Sequence, residues 1–307
     1  MKRPRPICPA FLLVAALWAL PALAQKHKDV KEIGKRDINK GSWNLYSPER
    51  EFQLGQQMAA EVEAGSHLLR DARVQGYVED LVQNLVRNSD SQVPFSVKVI
   101  DSDELNAFAL PGGFLYVNTG LIMEAETEAE LAGVLAHEIA HVTARHATKQ
   151  ASKRQLFELF SLPLIFVGGP VGYGIQQGLS LAVPLTFLKF SRNAEREADF
   201  LGLQYSYQAG YDPVAMVDFL ERLREGERQS RLASAFSSHP MTKDRIQRAQ
   251  KEIGQVLPLR TEHVVSTSRF EEVKSYLLRL HQSNWVYRGE DDGPRMRRRT
   301  ETDDDGQ

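Results

Sequence analysis

Thr127-Glu128-Ala129-Glu130-Leu131-Ala132-Gly133-Val134-Leu135-Ala136-His137-Glu138-Ile139-Ala140-His141-Val142 is the stretch that decides what kind of fold this chain adopts. Thr127 and Glu130 form a capping box, and Leu131, Val134, Leu135, Ile139 and Val142 recur at helical spacing, so a long helix starts here and is fixed by its own side chains. Within it His137-Glu138-Ile139-Ala140-His141 spells H-E-x-x-H. Residues four apart on a helix sit one above the other, so both imidazoles can reach one metal ion while Glu138 faces the water beside it. Metal-assisted hydrolysis needs that arrangement, together with a third ligand from elsewhere in the chain.

The chain has 307 residues and a formal charge of −2. Met1-Lys2-Arg3-Pro4-Arg5 is basic, and an apolar run from Ile7 to Ala24 follows and closes on Ala22-Leu23-Ala24. A charged start, a short apolar middle and an A-x-A end predict a signal peptide over 1–24, cut before Gln25. A retained anchor is the alternative, but Pro9 and Pro21 leave the run short for spanning a membrane. Without Lys2, Arg3 and Arg5 the charge becomes −5, and nothing in the balance favours nucleic acid. Cys8 is the only cysteine and falls within the leader, so disulfides and cysteine catalysis are excluded from the processed chain.

A polar segment, 25–46, leads to Ser47-Pro48-Glu49, which reads as a helix start running to about Ala64; a second helix is expected from Ala72 to Asn88. Phe95 to Ile100 alternates as a strand. Asn106-Ala107-Phe108-Ala109-Leu110 and Phe114 to Asn118 flank Pro111-Gly112-Gly113, which predicts a small sheet, antiparallel at that turn. A further helix is expected from Ser191 to Gly210, and Asp212-Pro213 opens the next. Leu159 to Leu188 is thirty residues without a charge but is broken by Pro163, Pro170 and Pro184, and is read as a buried helix-loop segment over the cleft. After Gly254 there is room for a strand-like piece at Val264-Val265 and one helix opened by Ser268-x-x-Glu271, within an extension spanning 255–288. The tail, 289–307, has almost no apolar residues and is expected to be disordered and solvated.

His146 is close enough in sequence to be considered as a third ligand. The H-E-x-x-H-x-x-G-x-x-H arrangement would need glycine at 144 and histidine at 147, however, and the chain has Ala144 and Ala147. His146 is therefore read as a surface or packing histidine. Glu195 in Ser191-Arg192-Asn193-Ala194-Glu195-Arg196-Glu197-Ala198-Asp199 is the better candidate. Glu195 and Asp199 share a helix face, while Glu197 points roughly the opposite way. The pair could give one carboxylate to the metal and a second to the free ring N–H of a ligand histidine. Taken alone, the segment would read as a solvated helix face laced with ion pairs.

HEIAHVTARH followed by SRNAEREAD, then His239-Pro240 with Arg245 six residues after the histidine, resembles the gluzincin-type zinc metallopeptidases of the Ste24/HtpX/Oma1 kind, including periplasmic members such as the beta-barrel assembly-enhancing proteases. The resemblance covers about Ser47 to Gly254 and frames a metallopeptidase domain over 47–254. It implies a mainly α (α+β) zincin-like fold with a small sheet whose edge strand borders the cleft. It also implies one zinc ion per chain bound by His137, His141 and Glu195, with Glu138 as general base and Asp199 supporting a ligand histidine. Asn106, Ala107, Phe108, Ala109 and Leu110 would form the substrate edge strand. His239 and Arg245 carry over as groups that hold the oxyanion of a tetrahedral intermediate, or, for His239, as a gate closing on the zinc. Ser238-His239-Pro240 could instead simply cap the helix near Thr242.

The resemblance implies a periplasmic endopeptidase acting on unfolded or misassembled envelope polypeptides, with contact to a membrane surface or to outer-membrane assembly machinery. A metal-stabilised chaperone with latent proteolysis is the alternative. Members with well-defined transmembrane helices, or with a long helical-repeat domain, differ from this chain in those parts.

Overall fold

The computed structural model describes residues 30–165, 189–226, 239 and 242–291. The expected signal peptide, most of the apolar stretch after Ile165, and the tail beyond Asp291 lie outside the described residues.

Helix α1 (Pro48–Gly65) starts where Ser47 accepts a hydrogen bond from the Arg50 N–H, with Pro48 at its first position. Helix α2 (Ala72–Arg87) is capped by Asp71, which accepts from Arg73 and Val74, and buries one face of Val74, Tyr77, Val78, Leu81, Val82 and Leu85. Strands β1 (Ser96–Ile100), β2 (Ala107–Leu110) and β3 (Phe114–Asn118) form a sheet in the order β1-β3-β2. β2 and β3 are an antiparallel hairpin, turned at Gly112 and Gly113, whose φ values of 78° and 94° suit glycine. β1 pairs with β3 in parallel, because the chain leaves β1, crosses to the far edge as β2 and returns to fill the middle.

Six residues of α3 (Thr119–Glu124) lead into α4 (Glu128–Thr143). Thr127 accepts from the Glu130 N–H, while Glu130 reaches back to the N–H of Glu126 and not to that of the cap, and also holds Arg222 through two bonds of 2.6 and 2.7 Å. Every residue of α4 is buried. It is the central helix, packed against β2, α2, α6 (Arg192–Gln208) and α7 (Val214–Gly226). Leu131, Leu135 and Ile139 are fully buried, each contributing about 1.5–3 kcal/mol of apolar burial. A Cβ at Gly202 of α6 would come within 3.0 Å of the His137 backbone, so this glycine sets how closely α6 and α4 approach.

Helix α5 (His146–Ile165) follows a reversal at Arg145, which has φ 56°. Arg145 is held there by Glu51 and by the Tyr46 carbonyl. Helix α8 (Lys243–Val256) packs on α6 and α7. The piece after it is more than a peripheral extension. Val264 bridges to Tyr211, the Val265 carbonyl accepts from Ala129 at the start of α4, and α9 (Ser268–Asp291) sinks Phe270, Val273 and Leu277 into the main core. The fold is mainly helical, with one small sheet. Among the described residues no helix is long and apolar enough to cross a membrane.

Candidate metal centre

α4 delivers His137, Glu138 and His141 from one turn; α6 delivers Glu195 and Asp199 from its first two turns, after Ser191 caps it by accepting from the Ala194 N–H. One ligand atom each from His137, His141, Glu195 and His239 lies within 4.8 Å of all the others, and all four side chains are buried. Nε2 of His137 and Nε2 of His141 are 3.0 Å apart, Glu195 oxygens lie 3.6 and 3.5 Å from them, and Nδ1 of His239 is 2.9 Å from Glu195 Oε1.

The partners of the outer ring nitrogens decide which way the lone pairs face. Nδ1 of His137 faces Asp199 Oδ1 at 3.1 Å, an ion-pair contact that favours a proton on this nitrogen. His146 donates from Nε2 toward Glu197 at 3.2 Å, which leaves its Nδ1 to accept from Nδ1–H of His141 at 2.9 Å. Once His137 gives up the proton on Nε2, that nitrogen and Nε2 of His141 can present lone pairs to the same point, together with a carboxylate. That donor set fits a zinc ion. Glu138 supports the same fit, since its Oε1 is buried without a hydrogen-bond partner.

Electrostatics follow from burial among these charges. Burial pushes the Glu138 carboxyl up from its ordinary value, against the opposing pull of His239 and His137. For His137, burial is outweighed by the Asp199 and Glu195 carboxylates, which push its imidazole up to about 9. Burial and the neighbouring His137, His239 and His146 push His141 well down. Glu195 and Asp199 are also desolvated, yet the histidines beside Glu195, and Arg245 with His137 beside Asp199, hold both carboxyls below their usual range.

Arg245 stands differently from its expected oxyanion role. Its guanidinium holds Asp199 through two hydrogen bonds, lies 3.1 Å from Glu195 Oε2 and donates to the His239 carbonyl. These carboxylates and the carbonyl take up its donors, so it is a brace for the acidic side of the site. His239 is drawn into the ligand cluster, with Nε2 3.6 Å from Glu138 Oε1. Thr242 caps α8, accepting from the Arg245 N–H.

His146 is buried and hydrogen-bonded to His141, a packing position and not a surface one; the left-handed turn at Arg145 swings it back over His141. Glu197, expected to point away, anchors that histidine from the solvent side. Phe190, which carried no signal in the sequence, stacks on His141 with ring centroids 4.1 Å apart.

β2 is an edge strand beside this cluster. Asn118 donates its N–H to the Asn106 carbonyl, which makes 106, 108 and 110 the positions bonded to β3 and turns the N–H and C=O of Ala107 and Ala109 outward. The Ala109 N–H points at the Glu138 carboxylate.

Residues 68–253 match the model of peptidase family M48. The chain is 29% identical over 260 residues to the beta-barrel assembly-enhancing protease of Escherichia coli (strain K12), covering 80% of this chain and 52% of that protein. It is 33% identical over 177 residues to the mitochondrial metalloendopeptidase OMA1 of Schizosaccharomyces pombe, covering 57% and 52%. Against the Danio rerio metalloendopeptidase OMA1 the identity is 35% over 201 residues, covering 60% and 41%. The chain spans about half the length of the curated relatives it matches.

Proposed function

The chain belongs to peptidase family M48, and on that premise we propose that it is a zinc-dependent endopeptidase of the cell envelope acting on unfolded or misassembled polypeptides. The reading is carried by one observation, the convergence of the His137, His141 and Glu195 ligand atoms beside the buried Glu138 carboxylate. Zinc held by these three residues would supply Lewis acidity toward a peptide carbonyl and toward water. Glu138, with its raised basicity, takes the proton of the attacking water and passes it to the leaving amine. Asp199 fixes the tautomer of His137, and Arg245 keeps Asp199 and Glu195 ionised and in position. An extended substrate adds to the edge of β2 that is unpaired among the described residues, through the outward groups of Ala107 and the Ala109 carbonyl, which lays its backbone against Glu138.

His239 sits among the atoms that would hold the metal, so it would serve at rest as a fourth ligand, in the place a substrate carbonyl would need. This closed arrangement favours a second reading, in which proteolysis is latent and the protein acts chiefly as a chaperone or assembly factor. The names of the relatives and the leader-like 1–24 support an envelope location and an envelope substrate. The test measures zinc content and cleavage of a peptide blocked at both ends, with and without a chelator. Stoichiometric zinc and chelator-sensitive internal cleavage are expected; zinc-loaded protein that leaves blocked peptides and unfolded test proteins intact would overturn the endopeptidase reading.

A further inference from the structure

On the face of the sheet away from α4, a cleft of about 510 Å³ opens between the end of α1 and the edge strand. Its floor is apolar, from Met58, Ile100, Phe108 and Leu110. Its charged side chains are all carboxylates, beside the neutral polar groups of Ser66, His67, Ser102, Asn106 and Asn118. Glu61, Asp101 and Glu104 stand at the rim, exposed. Asn106 and Asn118 form part of the wall, and Asn118 is only 4% exposed. The side-chain oxygens of both asparagines are buried without a hydrogen-bond partner. A buried acceptor left unpaired costs about 1–3 kcal/mol, so two of them on residues that line one cleft favour a donor from outside.

The position of the cleft says where that donor comes from. A strand added to the edge of β2 that is unpaired among the described residues continues its pleat, so the residue bonded to Ala109 points toward α4 and the His137–Glu195 cluster, while its neighbours, opposite Phe108 and farther toward Asn106, point to the α1 face. The cleft therefore receives a side chain within about three residues of the bond held at Glu138, a distance of roughly 10 Å along a strand. An apolar floor that ends in unpaired carbonyl oxygens and carboxylates matches a side chain with a hydrocarbon stem and a cationic, donor-only head.

We infer that the cleft bounded by Phe108, Asn106, Asn118 and Asp101 is a specificity subsite that takes a lysine or arginine side chain of the bound polypeptide close to the scissile bond. The inference rests on the endopeptidase reading for the direction of the substrate strand, but the subsite itself acts in binding.

The experiment uses the full zinc-loaded protein and a set of end-blocked peptides in which lysine, norleucine or glutamate occupies each of the three positions on either side of the cleaved bond. Hydrolysis is followed with the wild type, and binding of the same peptides with Glu138→Gln by fluorescence anisotropy. At one position on the α1 side, lysine should exceed norleucine by roughly tenfold in kcat/KM and in affinity, as a charged hydrogen bond supplies, and glutamate should be the poorest. The lysine advantage should shrink with added salt and fall toward unity in Asp101→Asn/Glu104→Gln. Hydrolysis with no lysine preference at any position overturns the subsite and leaves the peptidase reading standing. Lysine-preferring binding without hydrolysis by the wild type keeps the subsite and overturns the peptidase reading. Neither binding nor hydrolysis overturns both.

Discussion

Arg245 holds Asp199 through Nε–H to Oδ2 at 2.8 Å and Nη2–H to Oδ1 at 2.6 Å, and the same Oδ1 is 3.1 Å from Nδ1 of His137. The guanidinium thus acts on a ligand histidine at one remove, through a carboxylate that burial alone would neutralise. Arg245→Met leaves Asp199 and Glu195 buried without their cation, and should destabilise the fold by about 3–5 kcal/mol, read by urea unfolding of metal-free protein. If Arg245 instead held an oxyanion, the variant would unfold like the wild type and lose only turnover.

Glu138 lies in the interior of α4, and its carboxyl is pushed upward by burial, toward the range where a base works near neutral pH. Glu138→Gln keeps the shape and removes only the proton carrier. Cleavage should fall by roughly 10²–10⁴-fold with zinc content unchanged, measured by metal analysis beside a quenched-peptide assay.

His146 accepts from His141 and is itself held by Glu197. His146→Ala frees His141 to rotate and to take the wrong tautomer, so zinc affinity should drop roughly 10–100-fold in competition with a chromogenic chelator. Glu197→Gln keeps a hydrogen-bond acceptor and should lose less. Equal affinity in His146→Ala and wild type would remove the chain His141–His146–Glu197 from the site.

Metal uptake should depend on pH through His137. In the metal-free protein its imidazole is pushed up to about 9, so it holds a proton at neutral pH, whereas His141 is pushed down and is already neutral. Zinc must displace that one proton. Affinity should rise by nearly tenfold per pH unit from neutrality to about pH 9 and then level off, with close to one proton released per zinc at pH 7 in calorimetry across buffers of different ionisation enthalpy. The folding contribution of the same group has the opposite sign. Its raised value stabilises the metal-free fold below the ordinary histidine range, and that stabilisation fades as pH rises toward 9.

Much of this architecture is legible in the chain because local chemistry writes it. Ser47, Asp71, Thr127 and Ser191 mark helix starts by what their side chains accept, and the spacing of Leu131, Leu135 and Ile139 announces a buried face. Helical spacing likewise ties Glu195 to Asp199. The parallel pairing of β1 with β3 has no such mark, since strand order depends on a crossover that no short stretch encodes. His146 was hidden for a similar reason. Its direction is set by the left-handed turn of Arg145, a conformation that an arginine does not advertise and that Glu51, 94 residues earlier, helps to hold. The role of Arg245 depended on which carboxylates lay within reach, and that is decided only when α8 docks on α6.

The outward groups of Ala107 and Ala109 carry a consequence for which proteins this site can engage. A natively folded protein has already committed its backbone amides and carbonyls to its own helices and sheets, and must surrender several of them at once to lie along this strand. A chain that has failed to fold has nothing to surrender. Under the proposed activity, the discrimination between sound and damaged proteins is therefore made before any side chain is inspected, by the free energy each client needs to expose a few consecutive peptide groups. A protein's own local stability would set how long it survives in the presence of this enzyme.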